Sequence, residues 1–328
     1  MKTKIHKRFR TGSIYGLLSV FCIVSILSLP IPASQALAAR TLKMADGSMG
    51  SYWYSYATTV AELLKKKIPG IDIAITPGGG SSNIPAVHLG KANIALSLSG
   101  TAYMGYIGNA PFKTKNLKIR EVAGLADNPL TIVVWADSKY KKVTDLKGSR
   151  FNVSPRGYTS ETMARAIFKA YDMSYKDFKK IEYAGYRDAV IMMKDGHLDG
   201  MLGLFSRYAA YLLDLMSSKP IRVIPLTEEV VSIMSKDNQG LLKHYLPAKM
   251  YSQEKDVLTL TGWLHLIASE ELDDQLVYNI TKTLIENIDV LRQFSKGTSE
   301  LTPQEMATDL GIPFHAGTLK YYKEKGLR

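Results

Sequence analysis

The sequence of 328 residues predicts an α/β protein of two lobes, each a mostly parallel sheet flanked by helices. A unit of strand, small-residue loop and helix recurs four times, and strands that alternate with helices form parallel sheets covered on both faces. Two strongly β-prone segments, residues 130–137 and 259–270, bracket the third and fourth units. A chain that leaves one lobe and later returns to it gives this order, so we expect a ligand cleft between the lobes.

The first two units lie in the N-terminal third of the chain. In the first, "TLKMA" is followed by the loop "DGSMGS" and the helical "YWYSYATTVAELLKKK", which Pro69 and Gly70 close. In the second, "IDIAI" is followed by "TPGGGSSN" and the helical "IPAVHLGK", and the chain continues into the strand "NIALSLS". These loops follow the carboxyl ends of strands, where ligands bind in parallel sheets.

The third and fourth units lie between the two β-prone segments. They are "RFNVS", "PRGYTSE" and "TMARAIFKAYDM", then "HLDGMLGL", "FSR" and "YAAYLLDLMSS". We therefore assign residues 40–130 and 262–328 to lobe I and residues 131–261 to lobe II, with the ligand cleft between them.

The first 39 residues have the pattern of a cleaved signal peptide. Five bases precede the apolar "SIYGLLSVFCIVSILSLPIP", and Ala36 and Ala38 form an A-x-A cleavage site. The alternative is an uncleaved membrane anchor, because the apolar run approaches the roughly 20 residues that span a bilayer. The sequence thus predicts a periplasmic protein without thiols, since the single cysteine, Cys22, lies in the leader.

The charge of the chain is mildly basic. The 42 Lys and Arg outnumber the 30 Asp and Glu, and removal of the five leader bases lowers the net charge from +12 to +7. The remaining bases are scattered, without interleaved aromatic residues, so a nucleic-acid partner is not predicted. A moderate positive charge suits solubility and attraction of small anions.

The loop "TPGGGSSN" is the most unusual local feature. Backbone N–H groups of a glycine-rich turn before a helix bind anions, and a plain turn is the alternative. The spacing of a nucleotide phosphate loop is absent, because no Lys follows Gly80 before Lys91. An oxyanion hole is a further possibility, but no base accompanies the loop in sequence.

An enzyme is the rival class of function. The mature sequence has no thiol nucleophile, no G-x-S-x-G elbow and no H-E-x-x-H motif. Its five histidines lack ligand-like spacing, so neither a metal nor another cofactor is predicted. A surface immunogenic protein without a small ligand is the third class. It leaves four polar loops at strand ends without a role.

Six segments resemble, in order, the TAXI family, the TRAP-associated extracytoplasmic immunogenic proteins. They are "GSMGSYWYSYATTVAELL", "PGGGSSNIPAVHLGKANIALSLSGTAYMGY", "DLKGSRFNVSPRGYTSETMARAIF", "HLDGMLGL", "SEELDDQLVYNITKTLIEN" and "IPFHAGTLKYYKEKGL". The resemblance implies a type 2 periplasmic binding protein fold and a small carboxylate or amino-acid-like ligand. It also implies delivery to the membrane subunits of a tripartite ATP-independent periplasmic (TRAP) transporter. The receptor is expected to be a monomer.

The resemblance also implies ligand-binding loops. Here the family's second-loop serine falls on Gly80, so that Ser81 or Ser82 would supply the hydroxyl, and four residues replace the usual ones around Gly157. Phe205 follows a lobe II strand, with core packing as its alternative role. The predicted ligand-binding residues are Ser51, Tyr52, Ser81, Ser82, Asn83, Ser99, Arg156, Gly157, Tyr158, Thr159, Ser160 and Phe205.

Arg156 is the most informative departure from the family pattern. A guanidinium binds a carboxylate through two parallel hydrogen bonds. A solvated loop arginine is the alternative. If Arg156 holds the ligand, its replacement by alanine should weaken binding by roughly 30-fold or more.

Overall fold

The described part of the chain contains ten strands and eleven α-helices. The structure is a computed structural model that describes residues 40–47, 49, 51–156 and 158–328. The signal-peptide prediction (residues 1–39) and the site prediction at Gly157 lie outside these residues. The strands are β1 (Arg40–Ala45), β2 (Ile71–Thr76), β3 (Ile94–Leu98), β4 (Ile119–Trp135), β5 (Arg150–Asn152), β6 (Lys180–Glu182), β7 (Gly200–Leu204), β8 (Ile221–Val223), β9 (Leu242–Leu246) and β10 (Val257–Ser269). The helices are α1 (Tyr52–Lys67), α2 (Gly80–His88), α3 (Ser99–Ile107), α4 (Thr159–Ala170), α5 (Tyr186–Lys194), α6 (Ala210–Ser218), α7 (Glu228–Asp237), α8 (Asp274–Glu286), α9 (Ile288–Arg292), α10 (Pro303–Met306) and α11 (Ala316–Glu324).

The strands pair in the order β2-β1-β3-β10-β4-β7-β5-β6, with β8 beside β4 and β9 beside β10. We call β2, β1, β3, β10 and residues 119–129 of β4 the first half-sheet, and residues 130–135 of β4 with β7, β5, β6 and β8 the second half-sheet. Pairing is parallel among β1, β2 and β3 and among β5, β6 and β7. The long strands β4 and β10 run antiparallel to their neighbours.

The strand β4 connects the two half-sheets. Its residues 119–129 pair with β10, and its residues 130–135 pair with β7 and β8. The β-prone segment at residues 130–137 is therefore only the end of a longer strand. The sequence signal fades before it because Gly124, Asn128 and Pro129 are residue types that strands disfavour.

Both faces of each half-sheet are covered, as parallel strands with continuous apolar sequences require. Leu42 and Met44 of β1 face one core cluster, and Ala45 faces another. In the second half-sheet, Ile132 and Val134 face a cluster that α4 and α7 share, while Val133 faces a cluster with α5 and α6. The alternation places helices on both faces, which is the predicted α/β arrangement.

Helix boundaries depend on capping. Helix α1 spans the predicted residues, because the Ser51 hydroxyl accepts a hydrogen bond of 3.2 Å from the Tyr54 N–H. Helix α2 begins at Gly80 and α4 at Thr159, three or four residues earlier than predicted. Neither helix has a side-chain hydrogen bond at its N-cap, so no capping signal marks its start in the sequence.

Candidate ligand-binding cavity

A cavity of about 570 Å³ lies between helices that follow both half-sheets. Its walls are the start of α3 with residues 109–111, one face of α4, and the end of α7 with residues 238–241. Ser81 of α2 completes the lining. Helices α2 and α3 follow β2 and β3, and α4 follows β5, so the cavity lies where the carboxyl ends of parallel strands lead into helices.

The two sides of the cavity touch at one pair of hydroxyl groups. The Oγ1 atoms of Thr101 and Thr159 lie 3.0 Å apart and share a hydrogen bond. Thr101 belongs to the first turn of α3 and Thr159 is the first residue of α4. This contact joins a helix after the first half-sheet to a helix after the second.

Three helix starts contribute to the lining. Ser81 lies in the first turn of α2, Gly100 and Thr101 in that of α3, and Thr159 in that of α4. None of these helices has a side-chain cap hydrogen bond. Uncapped helix starts present backbone N–H groups and the positive end of the helix dipole, so this end of the cavity favours a negatively charged group.

Ser51 and Tyr52 stabilise the start of α1 and do not line the cavity. Ser51 is the N-cap of α1. The Tyr52 hydroxyl lies 3.1 Å from the Ser295 hydroxyl, and its ring meets Phe294 edge-on with centroids 5.1 Å apart. These contacts hold α1 against the segment that follows α9.

Asn83 and Ser99 are buried and bonded to backbone. The Asn83 side-chain amide donates to the carbonyls of Asp46 and Leu96 at 3.1 and 2.8 Å, and its oxygen accepts from the Gly79 N–H at 3.2 Å. Asn83 thereby fixes the loops after β1 and β2.

The Ser99 hydroxyl donates to the Gly240 carbonyl at 2.6 Å and accepts from the Trp263 N–H at 2.8 Å. It thereby attaches the start of α3 to β10 and to the turn after α7. Both Asn83 and Ser99 shape the cavity from behind its lining.

Three other predicted residues also have contacts outside the cavity. The exposed Ser82 hydroxyl donates to the Gly79 carbonyl at 3.0 Å. Ser160 is buried and accepts a 3.3 Å hydrogen bond from the Tyr186 hydroxyl. Phe205 packs in a core cluster with its ring centroid 4.6 Å from that of Tyr186.

Arg156 and Tyr158 lie at the exposed start of α4. The Arg156 guanidinium carbon lies 4.1 Å from the centre of the Tyr183 ring, a cation–π geometry. Tyr158 is the N-cap residue of α4 and is exposed. Neither side chain lines the cavity, so the predicted site residues that the structure brings to it are Ser81 and Thr159.

Sequence reasoning missed Asp46, which directly follows β1. Its side chain is fully buried, and among the described residues no hydrogen bond of normal geometry reaches either carboxylate oxygen. Burial raises the pKa of Asp46 to about 6. An acid placed directly between an apolar strand and a glycine was the available sequence signal.

Arg207 lies in the loop between β7 and α6. Its guanidinium lies 2.9 Å from an Asp127 carboxylate oxygen, 3.0 Å from Glu305 Oε1 and 3.6 Å from Glu300 Oε2. Asp127 is buried on β4, and burial raises its pKa while Arg207 opposes that rise. The three carboxylates occupy the guanidinium, which joins the loop after β7 to the first half-sheet.

Among the described residues, no three His, Cys, Asp or Glu side chains are grouped as a metal site. No helix within residues 40–328, as far as the structure describes them, has the length and apolar character to cross a membrane.

Comparison of the sequence with family profiles gives one match. The profile of the NMT1-like family matches residues 44–326, nearly the whole described chain. The chain belongs to the NMT1-like family. This NMT1-like protein also resembles many solved structures.

Three solved structures illustrate the fold that it shares. A TctC solute-binding protein from Polaromonas has 16% identity and a TM-score of 0.53, with 88% of this chain and 98% of that chain covered. A putative sulfonate-binding protein of Methylobacillus flagellatus KT has 15% identity, a TM-score of 0.50 and 88% coverage of both chains. A structure from work on glutathione import in Streptococcus mutans has 17% identity and a TM-score of 0.50, with 81% and 99% covered. Identities this low show the fold alone, and the predicted type 2 periplasmic binding protein fold is confirmed.

Proposed function

We propose that this NMT1-like protein is an extracytoplasmic solute receptor that binds a small carboxylate and delivers it to a membrane permease. The observation that carries the proposal is the cavity of about 570 Å³ at three uncapped helix starts. Small-molecule sites have volumes of roughly 300 to 1,000 Å³ and few polar groups among apolar ones. The cavity meets both conditions.

The proposal includes two lobes that close on the ligand. Residues 40–130 and 262–328 form lobe I and residues 131–261 form lobe II, with β4 and β10 as connections. The hydrogen bond between Thr101 and Thr159 then represents the closed state, since it joins α3 of lobe I to α4 of lobe II. Closure excludes water and strengthens the electrostatic interactions inside the cleft.

A carboxylate is the ligand group that suits the polar end of the cavity. The acidic side chain in the first turn of α4, Glu161, is paired with Arg165 at 2.6 Å and does not line the cavity. The lining contains one acidic residue among those described, Asp237, which lies at the end of α7 and is exposed. The helix starts therefore keep their preference for an anion.

The TRAP transporter is the proposed partner, because six motifs of the chain resemble the TAXI receptors in order. The relatives by fold serve transporters of other kinds, including ABC transporters, so the fold does not select one. Uptake of the solute into proteoliposomes that contain the permease distinguishes a TRAP transporter from an ABC transporter. A TRAP system needs the receptor and an ion gradient, and a requirement for ATP would assign the receptor to an ABC transporter.

Periplasmic location follows from the signal-peptide pattern of residues 1–39. N-terminal sequencing of the periplasmic protein should give Ala39 or Arg40 as the first residue. A protein beginning at Met1 would contradict the export proposal.

Ligand binding is tested with a thermal-shift screen of small organic acids and amino acids, followed by titration calorimetry. We expect one site per chain, and mass spectrometry should recover the ligand unchanged. Ser81→Trp, which fills the polar end of the cavity, should weaken binding at least tenfold. Ser82→Trp changes the exposed neighbour on the same helix and should stay within about threefold of wild type. Equal effects of the two changes, or chemical conversion of the ligand, would contradict the receptor proposal.

A further inference from the structure

Away from the helix starts the walls of the cavity are mostly apolar, with Asn109, Thr162, Lys169, Asp237 and Asn238 as the polar residues. The walls carry Met104 from α3, Met163, Ala166 and Ala170 from α4, and Met234 and Leu241 from the region of α7. These side chains belong to three different elements and face one space, so they form a binding surface for an apolar group. Methionine side chains are flexible and adapt to apolar ligands of different shapes.

The cavity extends along most of α4. Thr159, Met163, Ala166 and Ala170 follow one another at spacings of three or four residues, which places them on one stripe of the helix. From Thr159 to Ala170 a helix rises about 16 Å. The two alanines leave the second part of this stripe open, whereas a larger residue would close it.

The charged groups of the lining are Lys169 and Asp237, and both are exposed. A second ligand charge placed among the buried Met163, Met234 and Leu241 would therefore have no buried ionised side chain as a partner, because Lys169 and Asp237 lie at the exposed edge of the lining. A dicarboxylate or an amino acid in this position would bury a charge against methionine and leucine, which costs several kcal/mol.

We infer that the solute is a monocarboxylate with an unbranched or slender apolar body of about five to eight carbons. This inference rests on the proposed receptor function and narrows its ligand class. The carboxylate lies at the starts of α2, α3 and α4, and the apolar body lies along α4 between the methionines.

The test is titration calorimetry of straight-chain monocarboxylates from butyrate to decanoate, with succinate and glutamate for comparison, on the chain from Arg40. Burial of one methylene contributes a factor of about four in affinity. We expect the affinity to rise by about this factor per carbon to about eight carbons and then to level off. Tightest binding of succinate or glutamate, or affinity independent of chain length, would overturn the inference while the receptor function stands. Binding of no acid at all would overturn both.

A variant with a filled cavity gives the second readout. Ala166→Phe should weaken octanoate binding at least tenfold and leave butyrate binding within about twofold, because the phenyl ring occupies only the apolar end. Ala210→Phe, at an exposed alanine of α6 outside the cavity, is the matched control and should change neither. Both variants must keep the wild-type melting temperature within a few degrees. If Ala166→Phe lowers butyrate and octanoate binding equally, the apolar body does not lie along α4.

Discussion

At the scale of single residues, Asp46 carries a carboxyl group that the fold removes from water. The folded protein holds its proton more tightly than an unfolded chain does, since burial raises the pKa from 3.8 to about 6. The contribution of this group to stability is therefore complete below about pH 4 and is lost as the pH rises to about 6. Above that pH the native protein contains a buried carboxylate to which the described residues donate no hydrogen bond of normal geometry.

Replacement of Asp46 by asparagine tests this account. Asp46→Asn has no proton to lose, so we expect it to exceed wild type in unfolding free energy by about 1 to 3 kcal/mol at pH 8 and to match it near pH 4. Denaturant unfolding at intervals between pH 4 and 8 measures the difference. Asp72→Asn, at an exposed position on β2, is the control and should stay within about 0.5 kcal/mol throughout. A difference for Asp46→Asn that does not vary with pH would contradict the assigned cause.

Sequence reasoning identified the loops at strand ends better than the roles of their side chains. Small-residue runs are visible in sequence, and they lie after β1, β2 and β5 as expected. Sequence reasoning did not separate Ser81, which lines the cavity, from Asn83, which bonds to three backbone groups. That distinction depends on helical phase, and α2 begins four residues earlier than its sequence indicates.

At the scale of elements, the contact between the loop after β7 and the first half-sheet depends on Arg207. Its partners belong to β4, to the segment before α10 and to α10 itself. Asp127 is 80 positions away from Arg207 in the sequence, and Glu305 is 98 positions away. No local sequence pattern predicts a contact between residues so far apart in the chain. For this reason the sequence showed Arg207 only as a charged residue after a strand.

Loss of one partner from this cluster should be costly. Arg207→Met leaves Asp127 buried without its ion-pair partner and should lower the unfolding free energy by about 3 to 5 kcal/mol. The double variant Arg207→Met/Asp127→Asn removes both charges and should recover part of the loss. Lys243→Met, which breaks an exposed pair with Glu228, should cost less than about 1 kcal/mol. The account of the cluster would be wrong if Arg207→Met cost no more than Lys243→Met in chemical denaturation.

At the scale of the whole molecule, the class of fold was predictable because it depends on the order of strands and helices. The position of β4 in both half-sheets was only partly predictable. The sequence marks the apolar end of β4 and does not mark its beginning. The contact between Thr101 and Thr159 was outside the reach of sequence reasoning. It joins residues 58 positions apart through two hydroxyl groups.

A disulfide at this contact should control ligand exchange. The one cysteine of the chain, Cys22, lies in the predicted leader, so a chain from Arg40 with Thr101→Cys/Thr159→Cys contains only the new pair. We expect oxidation to slow ligand release at least tenfold in stopped-flow measurements, and reduction to restore the wild-type rate. The Thr101→Cys single variant is the control. Equal release rates with and without the disulfide would show that the two sides of the cavity need not separate.

Strand β10 pairs with both β3 and β4, and this arrangement sets the order in which the chain can complete its structure during synthesis. Strand β3 ends at Leu98, but its antiparallel neighbour is not available until Ser269 has been made. An N-terminal fragment that ends before β10 therefore leaves one side of β3 and the first part of β4 without partners, and such open strand edges favour pairing with other chains. We therefore expect an N-terminal fragment without β10 to aggregate more readily than the whole chain, and the whole chain to fold slowly, because contacts so distant in sequence form slowly.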